Sequence, residues 1–288
     1  MSPVNFHNLT RPYLIGEIGI NHNGDMQIAK HLIDAVFACE WDCAKFQKRN
    51  PDKAVPEAEK SKPRETPWGK MTYLEYKYRV EFGQEQYDYI DKYCGEKPVD
   101  WTVSVWDLDS LDFALPYNLP FLKVPSAMLT NKELLEATAK SGVPVILSTG
   151  MSTIEEVDVA VKLLEKHAGS FALMHCNSAY PAAHKDLHLR VIPKLVERYK
   201  CPVGYSGHEF DLEPTVLAVS LGAQIIERHI TLDHGMWGTD QSASLEVHGM
   251  SLLKRRMDGV DEMLGSADKC VTESEIPIRL KLRGNCAK

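Results

Sequence analysis

The stretch VPVILSTGMSTIEEVDVAVKLLEKHAGSFALMH (residues 143–175) contains the pattern that decides the fold. It begins with a short apolar run over 143–147, continues with a helical period, and ends with a second apolar run over 171–175. Thr153 and Glu156 have the spacing of a capping box, which marks the start of a helix between the two runs. A strand, a helix and a second strand in this order predict a βαβ unit with parallel strands.

The same pattern repeats along most of the chain. Eight short apolar runs alternate with eight helical segments, and they predict strands at residues 13–18, 43–47, 101–105, 121–124, 143–147, 171–175, 203–206 and 224–229. Eight such units in 288 residues favour a single-domain α/β fold, the (β/α)8 TIM barrel, over an open sheet. We predict a barrel over residues 1–265 and a short tail over 266–288 that forms no separate domain.

Composition and charge narrow the class of protein. The chain has 44% hydrophobic and 25% charged residues, which is typical of a globular protein with a large core. The net charge of −7 argues against a nucleic-acid partner, and no apolar run reaches the length of a membrane span. The seven cysteines include no C-x-x-C pair, and the N-terminus lacks the apolar core of a signal peptide. We expect a cytoplasmic protein with reduced thiols and neither a nucleic-acid nor a membrane partner.

Polar residues stand at the carboxyl ends of the predicted strands, where barrel enzymes have their active sites. They are Glu17, Asn21, Lys45, Gln47, Lys123, Ser126, Ser148, Ser178, Ser206, His208 and His229. Two lysines with several hydroxyls and a glycine turn suit a substrate that carries a phosphate and a carboxylate. The two histidines on neighbouring strands are either structural or hold a divalent metal that water and substrate complete. The residues alone predict a metal-assisted enzyme acting on a small phosphorylated anion.

Other chemically active side chains have weaker support. His22 lies in a loop rich in Asn and Gly whose residues could serve the turn alone, and His175 could be a packed residue at a strand end. Nothing in the local sequence favours a thiolate at Cys176, so we interpret it as a core residue. Four aromatic residues of the polar segment 48–83 predict a packed lid or an oligomer contact, and they are Trp68, Tyr73, Tyr76 and Tyr78.

Six stretches of the chain resemble the sialic acid synthase family, in order between residues 13 and 246. They are EIGINHNGD (17–25), AKFQ (44–47), FLKVPSAMLTN (121–131), PVILSTGMST (144–153), PVGYSGHEFDLEP (202–214) and IIERHITLD (225–233). That family condenses phosphoenolpyruvate with N-acetylmannosamine or a related aldose and releases phosphate. The resemblance implies a manganese, magnesium or cobalt ion, a nonulosonic or other 3-deoxy-2-keto sugar acid as the product, and a homo-oligomer.

The resemblance also implies a role for each matching residue. Glu17 matches the catalytic glutamate, which contacts the acceptor sugar, and His208 and His229 match the two metal-binding histidines. The phosphoenolpyruvate-binding positions are Lys45, Lys123, Ser126, Ser148, Ser178 and Ser206, and both lysines are expected to take part in catalysis. The residues expected on the acceptor side are Glu17, Asn21, Gln47 and Asp240.

Two departures from the family lie on the acceptor side. The sequence stops at Lys288 without the C-terminal antifreeze-like domain that supplies an arginine in the family, so we expect a short form of it. Gln241, within MWGTDQSASLE (236–246), stands where many members have histidine. The acceptor sugar is therefore open. Two other functions also stay open, namely a Schiff-base aldolase using Lys123 and a non-catalytic sugar-binding barrel.

Overall fold

The computed structural model describes residues 2–283, and a closed barrel of eight parallel strands lies at its centre. The strands are β1 (Tyr13–Gly19), β2 (Cys43–Lys48), β3 (Pro63–Thr66), β4 (Gly69–Thr72), β5 (Asp100–Val105), β6 (Leu122–Val124), β7 (Val145–Ser148), β8 (Phe171–Cys176), β9 (Val203–Gly207) and β10 (Ile225–His229). Strands β3 and β4 form a separate hairpin, and the barrel order is β1-β10-β9-β8-β7-β6-β5-β2. The predicted (β/α)8 TIM barrel is confirmed, and each predicted strand overlaps an observed one.

Helices surround the barrel and fill the connections between its strands. They are α1 (Met26–Ala38), α2 (Pro51–Ala54), α3 (Glu57–Lys60), α4 (Tyr73–Val80), α5 (Gln84–Glu96), α6 (Leu108–Ala114), α7 (Lys132–Lys140), α8 (Ile154–His167), α9 (Val191–Tyr199), α10 (Glu213–Ser220), α11 (Val247–Asp258), α12 (Val260–Leu264) and α13 (Ile276–Arg283). At the start of α8, Thr153 and Glu156 form the predicted capping box. Their mutual hydrogen bonds satisfy backbone N–H groups that a helix start leaves without partners.

Apolar side chains close the lower part of the barrel. Inward-facing residues of several strands, among them Ile15, Ile146 and Met174, form one fully buried cluster. Phe6 enters this cluster from the N-terminal segment, and its ring centroid lies 5.8 Å from that of Phe121. Since alternate residues of a strand face opposite sides, the next inward positions lie above this plug at the carboxyl ends of the strands.

The strand register brings polar side chains to one level above the apolar plug. Glu17 pairs with His229 on one side and with Lys45 on the other. Ser206 pairs with Glu227 one step lower on the neighbouring strands. Parallel strands end at the same edge of the barrel, so residues far apart in sequence meet there.

The segment over residues 48–83 is more ordered than the predicted polar connection. It folds into α2, α3, the β3–β4 hairpin and α4. The rings of Trp68 and Tyr76 pack at near right angles against Trp237, with centroids 5.6 and 5.2 Å away. The hairpin and α4 therefore cover the loop that follows β10.

The remaining described segments add little to the site. The six cysteines within residues 2–283 are free. Cys286 and the rest of residues 284–288, the end of the predicted tail, lie outside the described residues. Helix α13 has no buried residue. Across the described range, no helix combines the length and apolar character that crossing a membrane requires.

Candidate active site

A cavity of about 200 Å³ opens at the carboxyl ends of the barrel strands. Most of the residues predicted from the sequence line it, and they are Glu17, Lys45, Gln47, Lys123, Ser126, Ser148, Ser178, Ser206, His208 and His229. These predicted residues come from seven of the eight barrel strands or the loops that follow them, and Ser104 of β5 adds the eighth strand to the lining.

Two lysines and two carboxylates form a buried ring at the floor of the cavity. The Nζ atom of Lys45 lies 2.5 Å from Oε2 of Glu17 and 3.6 Å from Oε2 of Glu227. The Nζ atom of Lys123 lies 3.3 Å from Oε1 of Glu227. All four side chains are more than nine-tenths buried. The formal charges of the ring cancel, which is the condition under which such groups tolerate burial.

The two carboxylates of the ring differ in their affinity for a proton. Burial raises the pKa of Glu17, and the attraction of Lys45 only partly offsets this. Burial acts in the same direction on Glu227, but Lys123 and Lys45 outweigh it and lower the pKa of Glu227 to about 2. Burial lowers the pKa of Lys123. Glu227 therefore stays ionised, and Glu17 is the carboxylate that can most readily take up a proton.

Hydroxyl groups pack closely around Gly150 beside the cavity. The Oγ atom of Ser126 accepts a hydrogen bond of 3.0 Å from the Gly150 N–H. A Cβ at position 150 would lie 2.5 Å from Oγ of Ser178 and 2.9 Å from Oγ of Ser126. The buried hydroxyl of Ser148 has no hydrogen-bond partner within residues 2–283. The hydroxyls of Ser126, Ser148 and Ser178 line the cavity, and such groups are suited to bind the oxygens of an anion.

His208 and His229 form a pair of neutral imidazoles. Burial lowers the pKa of His208 to about 4 and also lowers the pKa of His229. The Nδ1 atom of His208 lies 2.6 Å from the carbonyl oxygen of Asn177, which places its proton on Nδ1 and leaves a lone pair on Nε2. The hydroxyl oxygen of Tyr180 lies 2.7 Å from Nε2 of His208 and 3.4 Å from Nε2 of His229. Both Nε2 atoms therefore face the same point.

The two imidazoles of His208 and His229 are suited to serve as two ligands of a divalent metal ion. Neutral imidazoles whose Nε2 lone pairs converge are common metal ligands, and the carbonyl bonded to His208 orients its ring. Within residues 2–283 there is no group of three or more His, Cys, Asp or Glu side chains that could hold a metal. Water and substrate oxygens would have to supply the other ligands, as in catalytic sites that keep open positions.

Two predicted acceptor residues do not line this cavity. The side-chain amide of Asn21 donates hydrogen bonds of 2.9 Å to the Ile230 carbonyl and 2.8 Å to the Ser244 hydroxyl, so it holds a loop. Asp240 lies at the edge, with Oδ2 3.9 Å from Nδ1 of His229. Gln241 is buried and donates to the Asn21 carbonyl, which gives it a structural role beside Asn21.

The side chains with weaker sequence support take separate positions. His22 stacks on Phe82 with ring centroids 3.8 Å apart, and burial lowers its pKa to about 3. His175 contacts the Leu187 carbonyl through Nε2 at 2.7 Å. Cys176 is buried but lines the cavity, and burial raises the pKa of its thiol. His22 and His175 thus support the fold.

Glu227, Tyr180 and Ser104 line the cavity but are absent from the predicted set. Ser104 accepts a hydrogen bond of 2.8 Å from Lys45. Glu227 could have been predicted from the sequence, because it precedes His229 by two residues on the same strand and must face the same side. Tyr180 lies in a loop, and only the folded chain shows that it reaches the two histidines.

A TIM barrel with a buried ring of lysines and carboxylates beside two convergent imidazoles has the construction of an enzyme. Residues 32–269 match the NeuB family, and the chain belongs to this family. It is 38% identical to N-acetylneuraminate-9-phosphate synthase of Homo sapiens over 276 residues, which cover 94% of this chain and 76% of the relative. It is 33% identical to N,N'-diacetyllegionaminic acid synthase of Legionella pneumophila, with 94% and 78% covered.

The structural comparison agrees with the sequence comparison. The crystal structure of N-acetylneuraminic acid synthetase from Leptospira borgpetersenii serovar Hardjo-bovis, in complex with citrate, superimposes with a TM-score of 0.84 at 30% identity. The match covers 96% of this chain and 93% of that chain. The predicted membership in the sialic acid synthase family and the prediction of a synthase-type enzyme are confirmed.

Proposed function

We propose that this chain condenses phosphoenolpyruvate with an aldose, in a reaction that depends on a divalent metal, and forms a nonulosonic or other 3-deoxy-2-keto sugar acid and phosphate. The observation that carries this proposal is the juxtaposition of Lys45 and Lys123 with the hydroxyls of several serines in one cavity. A substrate with a phosphate and a carboxylate matches two ammonium groups and several hydroxyl donors. The names of the relatives support an N-acylated amino sugar, or a sugar related to it, as the acceptor.

The charges of the cavity floor support entry of an anion. In the ring, the lysines are neutralised by Glu17 and Glu227. The raised pKa of Glu17 allows this carboxyl to become neutral when an anion approaches, which frees the charge of Lys45 for the substrate. Glu227 then keeps the two ammonium groups at a fixed separation.

The positions of the side chains support an order of bond changes. Lys45 and Lys123 hold the substrate so that C3 of phosphoenolpyruvate faces the aldehyde carbon. A divalent ion held by His208 and His229 would supply Lewis-acid polarisation of the aldehyde oxygen. The new carbon–carbon bond leaves positive character at C2, to which water adds. Cleavage of the C–O bond then releases phosphate.

Glu17 is the residue that holds or moves a proton during these changes. Its Oε1 accepts a hydrogen bond of 2.8 Å from the side chain of Gln47, and Oε2 contacts Lys45. This position places the carboxyl between the lysine ring and the acceptor side of the cavity. A buried carboxyl with a raised pKa is suited to general acid–base catalysis near neutral pH.

The proposal is tested by phosphate release from phosphoenolpyruvate with a panel of aldoses and Mn²⁺, with and without a chelator. We expect release only with a suitable aldose and its loss on chelation. His229→Ala should abolish release, whereas His31→Ala, at an exposed position of α1, should not change it. Release that survives chelation, or full activity of His229→Ala, would contradict the metal role.

A second candidate function, a Schiff-base aldolase, is favoured by one observation. Burial lowers the pKa of Lys123, which makes its amine more available as a nucleophile. Borohydride reduction in the presence of pyruvate separates the two functions. The synthase predicts no covalent adduct, and a mass increase located on Lys123 would favour the aldolase.

A further inference from the structure

Three cations and a tyrosine lie beside the outer edge of the cavity, and the mechanism above uses none of them. Arg49 follows β2, Arg64 lies on β3, and Tyr76 and Lys77 lie on α4. We call these four residues the rim cluster. They come from the segment over 48–83, which packs on the loop that follows β10.

The four side chains of the rim cluster lie close to one another. The guanidinium carbon of Arg64 lies 4.6 Å from the centroid of the Tyr76 ring, and the Nζ atom of Lys77 lies 5.2 Å from the same centroid. Burial and the charges of Arg49 and Arg64 together lower the pKa of Lys77 to about 8, although Asp240 and Glu81 act in the opposite direction. The fold therefore holds three positive charges together.

These groups have hydrogen-bonding capacity that the protein does not use. Lys77 is only 7% exposed, yet its ammonium makes no hydrogen bond or ion pair within residues 2–283. The Nε atom of Arg49 and the hydroxyl of Tyr76 are also buried without partners in this part of the chain. Two buried donors without partners, beside an ammonium that faces aromatic rings, point to a ligand with several acceptor oxygens.

The nearby carboxylates Glu81 and Asp240 form no ion pair with the rim cluster within residues 2–283. Glu81 pairs with Lys48 at 2.8 Å. The two oxygens of Asp240 contact Thr239 and His229, and its charge raises the pKa of Lys77 without forming an ion pair. Because a buried cation without a counter-charge lowers the stability of the fold, the arrangement is stabilised when an anion binds.

The rim cluster lies two alternate strand positions further out than Lys45 and Glu17. Along β2 and the residue after it, Lys45, Gln47 and Arg49 occupy alternate positions. Arg49 donates to the side-chain oxygen of Gln47, and its guanidinium lies 4.5 Å from the ring centroid of Trp106. Both Gln47 and Trp106 line the cavity. Lys45 and Arg49 are four residues apart, which is about 13 Å of extended chain. The side chain of Gln47 bridges this gap, because its oxygen accepts from Arg49 and its nitrogen donates to Glu17 at 2.8 Å.

We propose that the rim cluster binds a phosphate group on the terminal carbon of the acceptor, so that the second substrate is an aldose phosphate. This inference rests on the proposed function, which places the aldehyde of the acceptor beside Glu17 and the two histidines. Two guanidinium groups, an ammonium and a phenol hydroxyl match the charge and the several oxygens of a phosphate dianion. A neutral acceptor would leave the Tyr76 hydroxyl and the Arg49 Nε without partners and the Lys77 ammonium without a counter-charge in contact.

The test compares matched pairs of acceptors with and without phosphate. The pairs are N-acetylmannosamine and its 6-phosphate, mannose and its 6-phosphate, and arabinose and its 5-phosphate, and consumption of phosphoenolpyruvate is followed. We expect kcat/KM to favour the phosphorylated member of the accepted pair by about tenfold or more. Lys77→Met and Arg64→Met should each reduce this preference about tenfold. Lys70→Met, at an exposed position of β4, is the matched control and should keep it.

A binding experiment separates this inference from the proposed function. Mannitol 1-phosphate has no aldehyde and cannot react, so calorimetric titration into the protein with phosphoenolpyruvate measures affinity alone. We expect Lys77→Met and Arg64→Met to weaken its binding about tenfold, and melting curves check that both variants fold. Equal affinity of the wild type and both variants would overturn the inference, as would equal use of both members of an accepted pair. Absence of turnover with every aldose would contradict the proposed function, and the titration would still decide whether the rim cluster binds phosphate.

Discussion

Replacement of Gly150 by alanine tests the packing of the hydroxyl groups around the proposed phosphoenolpyruvate site. The new Cβ would lie 2.5 Å from Oγ of Ser178, 2.8 Å from Sγ of Cys176 and 2.9 Å from Oγ of Ser126. Ordinary contact begins at 3.4 Å, so the Ser178 hydroxyl must move by the difference of about 0.9 Å. A displacement near 1 Å in groups that position a substrate costs roughly 100-fold in rate. We therefore expect Gly150→Ala to lower kcat/KM for phosphoenolpyruvate about 100-fold.

The assay is steady-state consumption of phosphoenolpyruvate, together with the free energy of unfolding from denaturant titration. Overpacking of this kind should lower the free energy of unfolding by about 1–3 kcal/mol, so the variant should stay folded. Gly169→Ala is the control, because a Cβ there meets no atom within 4 Å. A folded Gly150→Ala enzyme with kcat/KM within about threefold of the wild type would refute the reasoning that these hydroxyls contact the substrate.

Three further predictions concern buried polar groups. Burial lowers the pKa of His22 to about 3, whereas its pKa in the unfolded chain is about 6.5. Between about pH 3 and 6.5 the unfolded state therefore binds more protons than the folded state, and the free energy of unfolding falls as the pH drops below about 6.5. In this window, the free energy of unfolding of His22→Asn should depend less on pH than that of the wild type, by up to about 1.4 kcal/mol per pH unit, and equal slopes would contradict the burial argument. Lys123→Met should abolish turnover and lower the free energy of unfolding by about 3–5 kcal/mol, because the buried Glu227 then keeps only the charge of Lys45, 3.6 Å away. The double variant with Glu227→Gln should regain part of that loss in denaturant titration. Asn21→Ala should lower the free energy of unfolding by about 1–3 kcal/mol and leave the KM of the aldose unchanged, and a KM that rises without loss of stability would place Asn21 in the acceptor site.

The barrel could be predicted because its strands are short apolar runs that alternate with amphipathic helices. Thr153 and Glu156 marked the start of α8 correctly, since a capping box depends only on residues three apart. The segment over 48–83 could not be predicted in the same way. Its hairpin and short helices are polar, and contacts such as Arg64 with Trp237, which follows 173 residues later, hold them in place. Periodicity carries no information about such contacts.

The candidate site shows the same division between local and tertiary information. Residues at strand ends, such as Lys45 and Lys123, could be placed in one cavity, because all strands of a barrel end on the same side. Their charge partners could not be assigned, since the ring with Glu17 and Glu227 depends on register and on which rotamers meet. Asn21 was expected on the acceptor side from its place after β1, but the sequence does not show that its amide is directed toward Ser244.

The most direct test of the central claim uses phosphoenolpyruvate labelled with ¹⁸O in the bridging oxygen between C2 and phosphorus. The protein is incubated with this substrate, Mn²⁺ and an accepted aldose, and the released phosphate and the sugar acid are analysed by mass spectrometry. Condensation with water addition at C2 and C–O cleavage predicts that the label leaves with phosphate, in equal amounts to a new 2-keto sugar acid. Unlabelled phosphate, or phosphate without a sugar acid product, would contradict the account.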